Sequence, residues 1–220
     1  MSKGIRLEEE GLVRVPSGSV ILEGNLIVPE GARAVVLFAH GSGSSRFSPR
    51  NRYVAEVLRK VGLATLLIDL LTVEEEKVDM YTMHLRFDIK LLADRLVGAT
   101  DWLVQNHSTK KLRIGYFGAS TGAAAALVAA VERPIVSAIV SRGGRPDLAW
   151  PILPNVKAPT LLIVGGDDLP VIDMNKEALD KMKCEKKLVI VPGATHLFEE
   201  PGKLEEVAAL ASDWFMRYLH

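Results

Sequence analysis

Six short runs in this 220-residue chain are apolar on successive positions, and no other feature constrains its fold as tightly. They are Ala34 to Ala39, Ala64 to Ile68, Ile114 to Phe117, Val136 to Val140, Thr160 to Val164 and Lys187 to Val191. A strand with one wet face alternates apolar and polar residues. A strand without alternation is covered on both faces, and such strands build parallel sheets flanked by helices. The intervening segments carry helical spacing. Tyr53, Val54, Val57, Leu58 and Val61 recur every three or four residues, as do Leu91, Leu92, Leu96 and Leu103 in a longer helix from about Arg86 to Gln105. Leu210, Trp214 and Phe215 mark a last helix. The beginning of the chain differs: Leu12 to Val15 alternate, Pro16-Ser17-Gly18 is a turn, and Val20 to Val28 is a strand interrupted at Gly24. The expectation is an α/β fold, a doubly wound, mostly parallel sheet with an N-terminal antiparallel β segment and right-handed crossovers. No repeat or shift in composition divides it, so residues 1–220 read as a single domain.

Composition narrows the function. Lys and Arg number 27 against 27 Asp and Glu, a formal net charge of zero, and this removes the basic footprint that nucleic acid or an anionic membrane surface requires. A small-molecule substrate is the expected partner. No apolar run approaches the roughly 18 residues of a membrane span. The single cysteine, Cys184, excludes an intramolecular disulfide and a multi-thiolate zinc site, and it fits a reducing compartment. Residues Met1 to Glu10 are charged and lack the apolar core of a secretion signal, so the expected location is the cytoplasm.

In sheets of this kind ligands sit beyond the carboxyl ends of the parallel strands. Four such ends are unusual: His40-Gly41-Ser42-Gly43, Gly118-Ala119-Ser120-Thr121-Gly122, Gly165-Gly166-Asp167-Asp168 and Pro192-Gly193-Ala194-Thr195-His196. The second matches G-x-S-x-G between a strand and the alanine-rich helix Ala123 to Ala130. There a serine on a sharp turn projects its hydroxyl into the cleft, and small neighbours let the turn pack. A serine hydroxyl needs a base, and the base needs a third group to orient it. An aspartate and then a histidine follow at the next strand ends, and the order Ser, Asp, His separates this arrangement from other triad folds.

On these motifs the chain resembles the α/β-hydrolase superfamily over nearly its whole length, and within it the small, lidless dienelactone hydrolase-like group. The resemblance implies that Ser120 is the nucleophile, His196 the general base and then acid, and Asp168 the group holding the imidazole. In the family pattern the aspartate is followed three residues later by valine, here Val171, which selects Asp168; Asp167 is the alternative. The resemblance also implies an oxyanion hole from the backbone N–H groups of Thr121 and Ser42, and no cofactor or metal. Dienelactone hydrolases carry cysteine at the nucleophile position, where this chain has Ser120. That points away from dienelactone and toward cleavage of a small soluble ester, thioester or lactone through an acyl-serine intermediate. The alternatives are a peptidase or acyltransferase using the same triad, or a non-catalytic binding domain of the same fold.

Blander readings compete at each position. Ser120 and Asp168 would serve as helix N-caps in any α/β protein, and His196 would serve as an ordinary loop histidine. His40 reads as a brace for the oxyanion loop. Arg142, two residues past its apolar run, is a candidate anchor for a substrate carboxylate, against an internal ion pair with Asp147 or another acid. The connection from about Leu70 to Leu85 reads as a long loop bordering the site, its Glu74-Glu75-Glu76-Lys77 run as a solvated face, and its Met80, Tyr81 and Met83 as pocket lining or core cover. Trp150 walls a pocket or packs, and Cys184 is a spare thiol. Only about 18 residues separate Val140 from Pro159, too few for a cap domain, so the cleft should be open.

Overall fold

The computed structural model describes residues 11–219. Met1 to Glu10, read above for targeting signals, lie outside them. Every apolar run is a strand. In order the elements are β1 (Gly11–Ser17), β2 (Val20–Ile27), β3 (Ala34–Ala39), α1 (Pro49–Lys60), β4 (Ala64–Ile68), α2 (Val73–Thr82), α3 (Ile89–Gln105), β5 (Arg113–Ala119), α4 (Thr121–Glu132), β6 (Val136–Arg142), β7 (Thr160–Gly165), α5 (Leu169–Lys181), β8 (Lys186–Val191) and α6 (Lys203–Tyr218). They form an eight-stranded sheet of order β1-β2-β4-β3-β5-β6-β7-β8. The β1–β2 and β2–β4 pairings are antiparallel, and β3 to β8 run parallel.

The two-residue period of a strand sends its side chains to two separate cores. In β3, Val35, Leu37 and Ala39 join the layer under α3 and α4, whereas Ala34, Val36 and Phe38 join the layer under α1 and α6; all six are essentially inaccessible. At about 1.5–3 kcal/mol for each fully buried large aliphatic or aromatic side chain, sandwiching this strand is a strong driving force for closing both layers. Gly115 of β5 makes room for the second layer, since a Cβ there would lie 2.9 Å from both Phe215 of α6 and Leu219 just after it. No helix among the described residues is long and apolar enough to cross a membrane.

Three expectations need correction. The Leu70 to Leu85 connection is no loop, because it contains α2, closed at its start by a capping box: Thr72 accepts from the Glu75 N–H, and Glu75 accepts from the Thr72 N–H. Nor is the acidic run simply a solvated face, since Glu75 also pairs with Arg95 at 2.6 Å. Strand β6 extends through Arg142, held by pairing to Ala119 on one side and Ile163 on the other, so Arg142 is the last strand residue and not a loop residue beyond it. Between β6 and β7 lies only the 3-10 segment Pro146–Asn155, which packs on α4 and α5 and leaves the carboxyl edge of the sheet without a cap domain.

Candidate active site

Ser120 follows directly on β5 with φ 51° and ψ −121°, a conformation that costs a non-glycine residue of order 1–3 kcal/mol. The surroundings hold it there. Its N–H donates to the Arg142 carbonyl at 3.2 Å, and its own carbonyl accepts from the Arg145 and Ala123 N–H groups at 3.1 Å each. The flanking glycines are required by contact distance. A Cβ on Gly118 would lie 2.5 Å from the Ala123 Cα, and one on Gly122 would lie 2.3 Å from the Ala39 carbonyl oxygen. Gly41 does the same from the facing loop, with a Cβ there 3.0 Å from the Ser120 Cβ. Although Ser120 stands at the N-cap position of α4, its side chain makes no capping bond. The hydroxyl, half-buried, is left for other work.

Asp168 likewise occupies the N-cap position of α5 without capping it. Its Oδ2 lies 2.6 Å from His196 Nδ1. Asp167 points elsewhere: it is exposed, and its backbone N–H donates to the Ala194 carbonyl at 3.0 Å. The His196 loop crosses the end of β7 because Gly165 has no side chain; a Cβ there would meet the Ala194 oxygen at 2.3 Å. Glu200 fastens the same loop, accepting from the Thr195 hydroxyl at 2.6 Å and from its N–H at 3.1 Å. Residues Arg142 and Gly143 bring nucleophile and imidazole together. The Arg142 carbonyl holds the Ser120 N–H, and Gly143, at φ 52°, lies beneath the His196 ring, where a Cβ would be 3.4 Å from Cε1. No hydrogen bond joins Ser120 Oγ to the ring among the described residues, the loose resting geometry common in catalytic pairs without substrate.

The loop after β3 supplies the third part. Thr121 opens α4, where a backbone N–H has no partner inside the helix. The Ser42 N–H is already engaged, donating to Thr121 Oγ1 at 2.9 Å, a contact that ties the two candidate oxyanion donors side by side. Behind them the Arg46 N–H donates to Asp69 at 2.6 Å, and the Arg46 guanidinium pairs with both Asp69 and Glu23. His40 Nε2 accepts from the Leu70 N–H at 3.1 Å, so Nδ1 carries the proton and donates to the Gly41 carbonyl at 3.0 Å. The brace expected of His40 is therefore present. Burial holds this imidazole below its ordinary pKa. As pH falls below about 6.5 the unfolded chain takes up a proton that the folded chain resists, so stability is lost with acidification. Urea midpoints should decline below pH 6.5 in the wild type and decline less steeply in His40→Gln, which at neutral pH should be weaker by about 1–3 kcal/mol for the lost acceptor. Parallel pH profiles in the two proteins would contradict this.

Beside the oxyanion loop lies a cavity of about 300 Å³, lined in part by His40, Gly41, Ser42, Glu76, Met80 and Arg86. Helix α2 is one of its walls. Burial, with Asp69 nearby, pushes the Glu76 carboxyl above its ordinary range. Asp79, buried and not singled out from the sequence, holds the following turn by accepting from the Leu85 N–H at 2.7 Å and the Arg86 side chain at 2.5 Å. Met80 lines the cavity, whereas Tyr81 and Met83 are exposed and do neither task expected of them. Trp150 packs against the first core with the Lys181 ammonium 5.3 Å above its ring. Cys184 is only half-buried, and burial pushes its thiol up, away from reactivity. The ion pair expected near Arg142 belongs to its neighbour: Arg145 grips Asp147 with bonds of 2.9 and 2.7 Å.

Comparison with known proteins agrees with this geometry. The family model described as "Dienelactone hydrolase family" matches residues 22–220. A solved structure from Anabaena variabilis ATCC 29413, titled as a dienelactone hydrolase, superposes with a TM-score of 0.95 at 68% identity, over 96% of this chain and 99% of that one. Est1E from Butyrivibrio proteoclasticus shares the fold, with a TM-score of 0.79 at 16% identity over 94% of this chain and 98% of its own. A Mycobacterium tuberculosis protein named as a putative phosphoribosyl transferase is 58% identical over 208 residues, which is 94% of this chain and 46% of that protein. The chain thus spans about half the length of the curated relatives it matches first.

Proposed function

The chain belongs to the dienelactone hydrolase family, a group of α/β hydrolases, and from that membership we propose that it is a serine hydrolase cleaving a small soluble ester, thioester or lactone. The observation that carries the reading is the 2.6 Å contact between Asp168 and His196 beside a serine held in a strained turn. In the proposed cycle the Ser120 hydroxyl attacks the carbonyl carbon while His196 Nε2 takes its proton. Asp168 fixes the ring with Nδ1–H directed at its carboxylate, so that Nε2 is the free base, and stabilises the imidazolium that forms. The oxyanion develops between the Thr121 and Ser42 N–H groups. The Ser42 N–H is shared with Thr121 Oγ1 or released by rotation of that side chain. His196 returns the proton to the leaving alcohol, and water, activated by the same ring, frees the acid from the acyl-serine.

Lone Cys184 and the neutral net charge support a cytoplasmic setting, and the uncapped carboxyl edge supports small soluble substrates. A serine-reactive fluorophosphonate followed by peptide mass analysis tests the assignment directly. The adduct is expected on the peptide carrying Ser120, and a folded protein left unlabelled would refute the nucleophile. A panel of p-nitrophenyl esters, lactones and thioesters then ranks the acyl groups.

A further inference from the structure

Among the described residues, Arg142 poses a problem that its neighbours do not solve. It is 7% exposed, and its Nε and Nη1 are buried without a hydrogen-bond partner. A guanidinium presents five donors and stays charged, and buried charges in folded proteins are paired because desolvation costs several kcal/mol per ion. Of the acids around the site, Asp167 is exposed on its turn and four others are engaged elsewhere. Asp168 meets His196, Asp147 meets Arg145, Glu200 meets Thr195, and Glu199 meets Arg50 at 2.7 Å.

A second cation stands close instead. Arg50 lies in the first turn of α1, and by strand alternation Arg142 faces that helix, as do Ala138 and Val140, which pack in the core under α1 and α6. Burial, with Arg50 beside it, pushes the Arg142 guanidinium down to about 10, so Arg142 is still positive at neutral pH. Glu199 offsets the charge of Arg50, while Arg142 has no counter-ion, so the three groups together leave a net positive charge at one spot on the carboxyl edge of the sheet.

That spot adjoins the chemistry. The Arg142 carbonyl holds the Ser120 N–H, and the next residue, Gly143, underlies His196. Nε and Nη1 are the buried, unpartnered nitrogens of the guanidinium, and the side chain as a whole keeps 7% of its surface exposed. The α2 cavity is bordered by Leu92 of the first core, whereas Arg142 faces the second, so the two features lie on opposite faces of the sheet. We propose that Arg142, joined by Arg50, is an oxyanion-binding subsite that takes a carboxylate or phosphate group of the substrate and fixes the scissile bond over Ser120. The proposal deepens the serine-hydrolase reading and rests on it for the word substrate, but the binding it requires does not depend on turnover.

The test is therefore made on Ser120→Ala by thermal unfolding, titrated with succinate or inorganic phosphate against sodium chloride at matched ionic strength. A saturable rise in midpoint beyond the chloride control is expected with at least one anion. Succinate alone identifies a carboxylate, phosphate alone a phosphate group, and both together their shared charge. Adding Arg142→Met should abolish the rise, and adding Arg50→Gln should weaken the affinity at least about tenfold. Without anion, the Arg142→Met protein should melt higher than its parent, because an unpaired buried cation has been removed. A structural role predicts the opposite sign. In the active enzyme, the preference in kcat/KM for an acid-bearing ester over its neutral match should collapse with Arg142→Met and be partly restored with Arg142→Lys. No rise beyond chloride with either anion, or a lower midpoint for Arg142→Met, would overturn the subsite. Loss of turnover on every ester by the wild type, with anion binding intact, would instead count against the hydrolase reading.

Discussion

Ser120→Ala is expected to lower ester turnover by about 10³-fold or more while leaving the fold unchanged, and p-nitrophenyl acetate hydrolysis measures the loss. Nothing in the packing requires the hydroxyl, for among the described residues it caps no helix and bonds no neighbour, so the effect should be confined to the rate. The backbone adds a second, distinguishing expectation. At φ 51° an alanine keeps the strain of the serine, whereas a glycine releases of order 1–3 kcal/mol and gives back about 1 kcal/mol in unfolded-chain entropy. Ser120→Gly should thus be as inactive as Ser120→Ala yet melt no lower than the wild type. Wild-type turnover by either variant would remove Ser120 from the mechanism.

The next largest effect is expected from Asp168→Asn, at about 10⁴-fold in kcat. An asparagine of the same shape can donate to Nδ1 and so turn the imidazole to the tautomer whose Nε2 already bears a proton. Asp167→Asn should do far less, since that side chain is exposed on the turn and only its backbone is engaged, by Ala194. Equal losses in the two variants would mean that the turn as a whole, and not one carboxylate, supports His196. The reverse order would move the role to Asp167.

The parts of the molecule governed by local pattern were legible in the sequence. Residues of β3 that are apolar at six successive positions can only be a strand sandwiched between helices, and the glycines around Ser120 follow from the same turn that exposes its hydroxyl. Helix α2 was hidden by its surface. With charges on most of its turns and apolar Val78, Met80 and Tyr81 left exposed, it shows little helical periodicity. Its one local signal is Thr72 followed three residues later by Glu75, a capping box that precedes no apolar run. What depends on distant partners could not be read at all. The Ser42 bond to Thr121 joins residues 79 apart, and the solitude of Arg142 is a property of where Asp147, Glu199 and Glu200 happen to point.

The division of β3 between two cores bears on how such a chain can change over generations. Leu37 and Phe38 are neighbours along the backbone, but the sheet stands between their side chains, and each answers to a different set of helices. Phe38 instead answers to Phe117, its partner across the β3–β5 pairing, with ring centroids 4.9 Å apart. Stability effects combine independently where side chains share no partners and interact where they touch. Adjacent letters of the strand are therefore free to drift separately, while letters far apart in the text, on opposite strands of one layer, must be rewritten together.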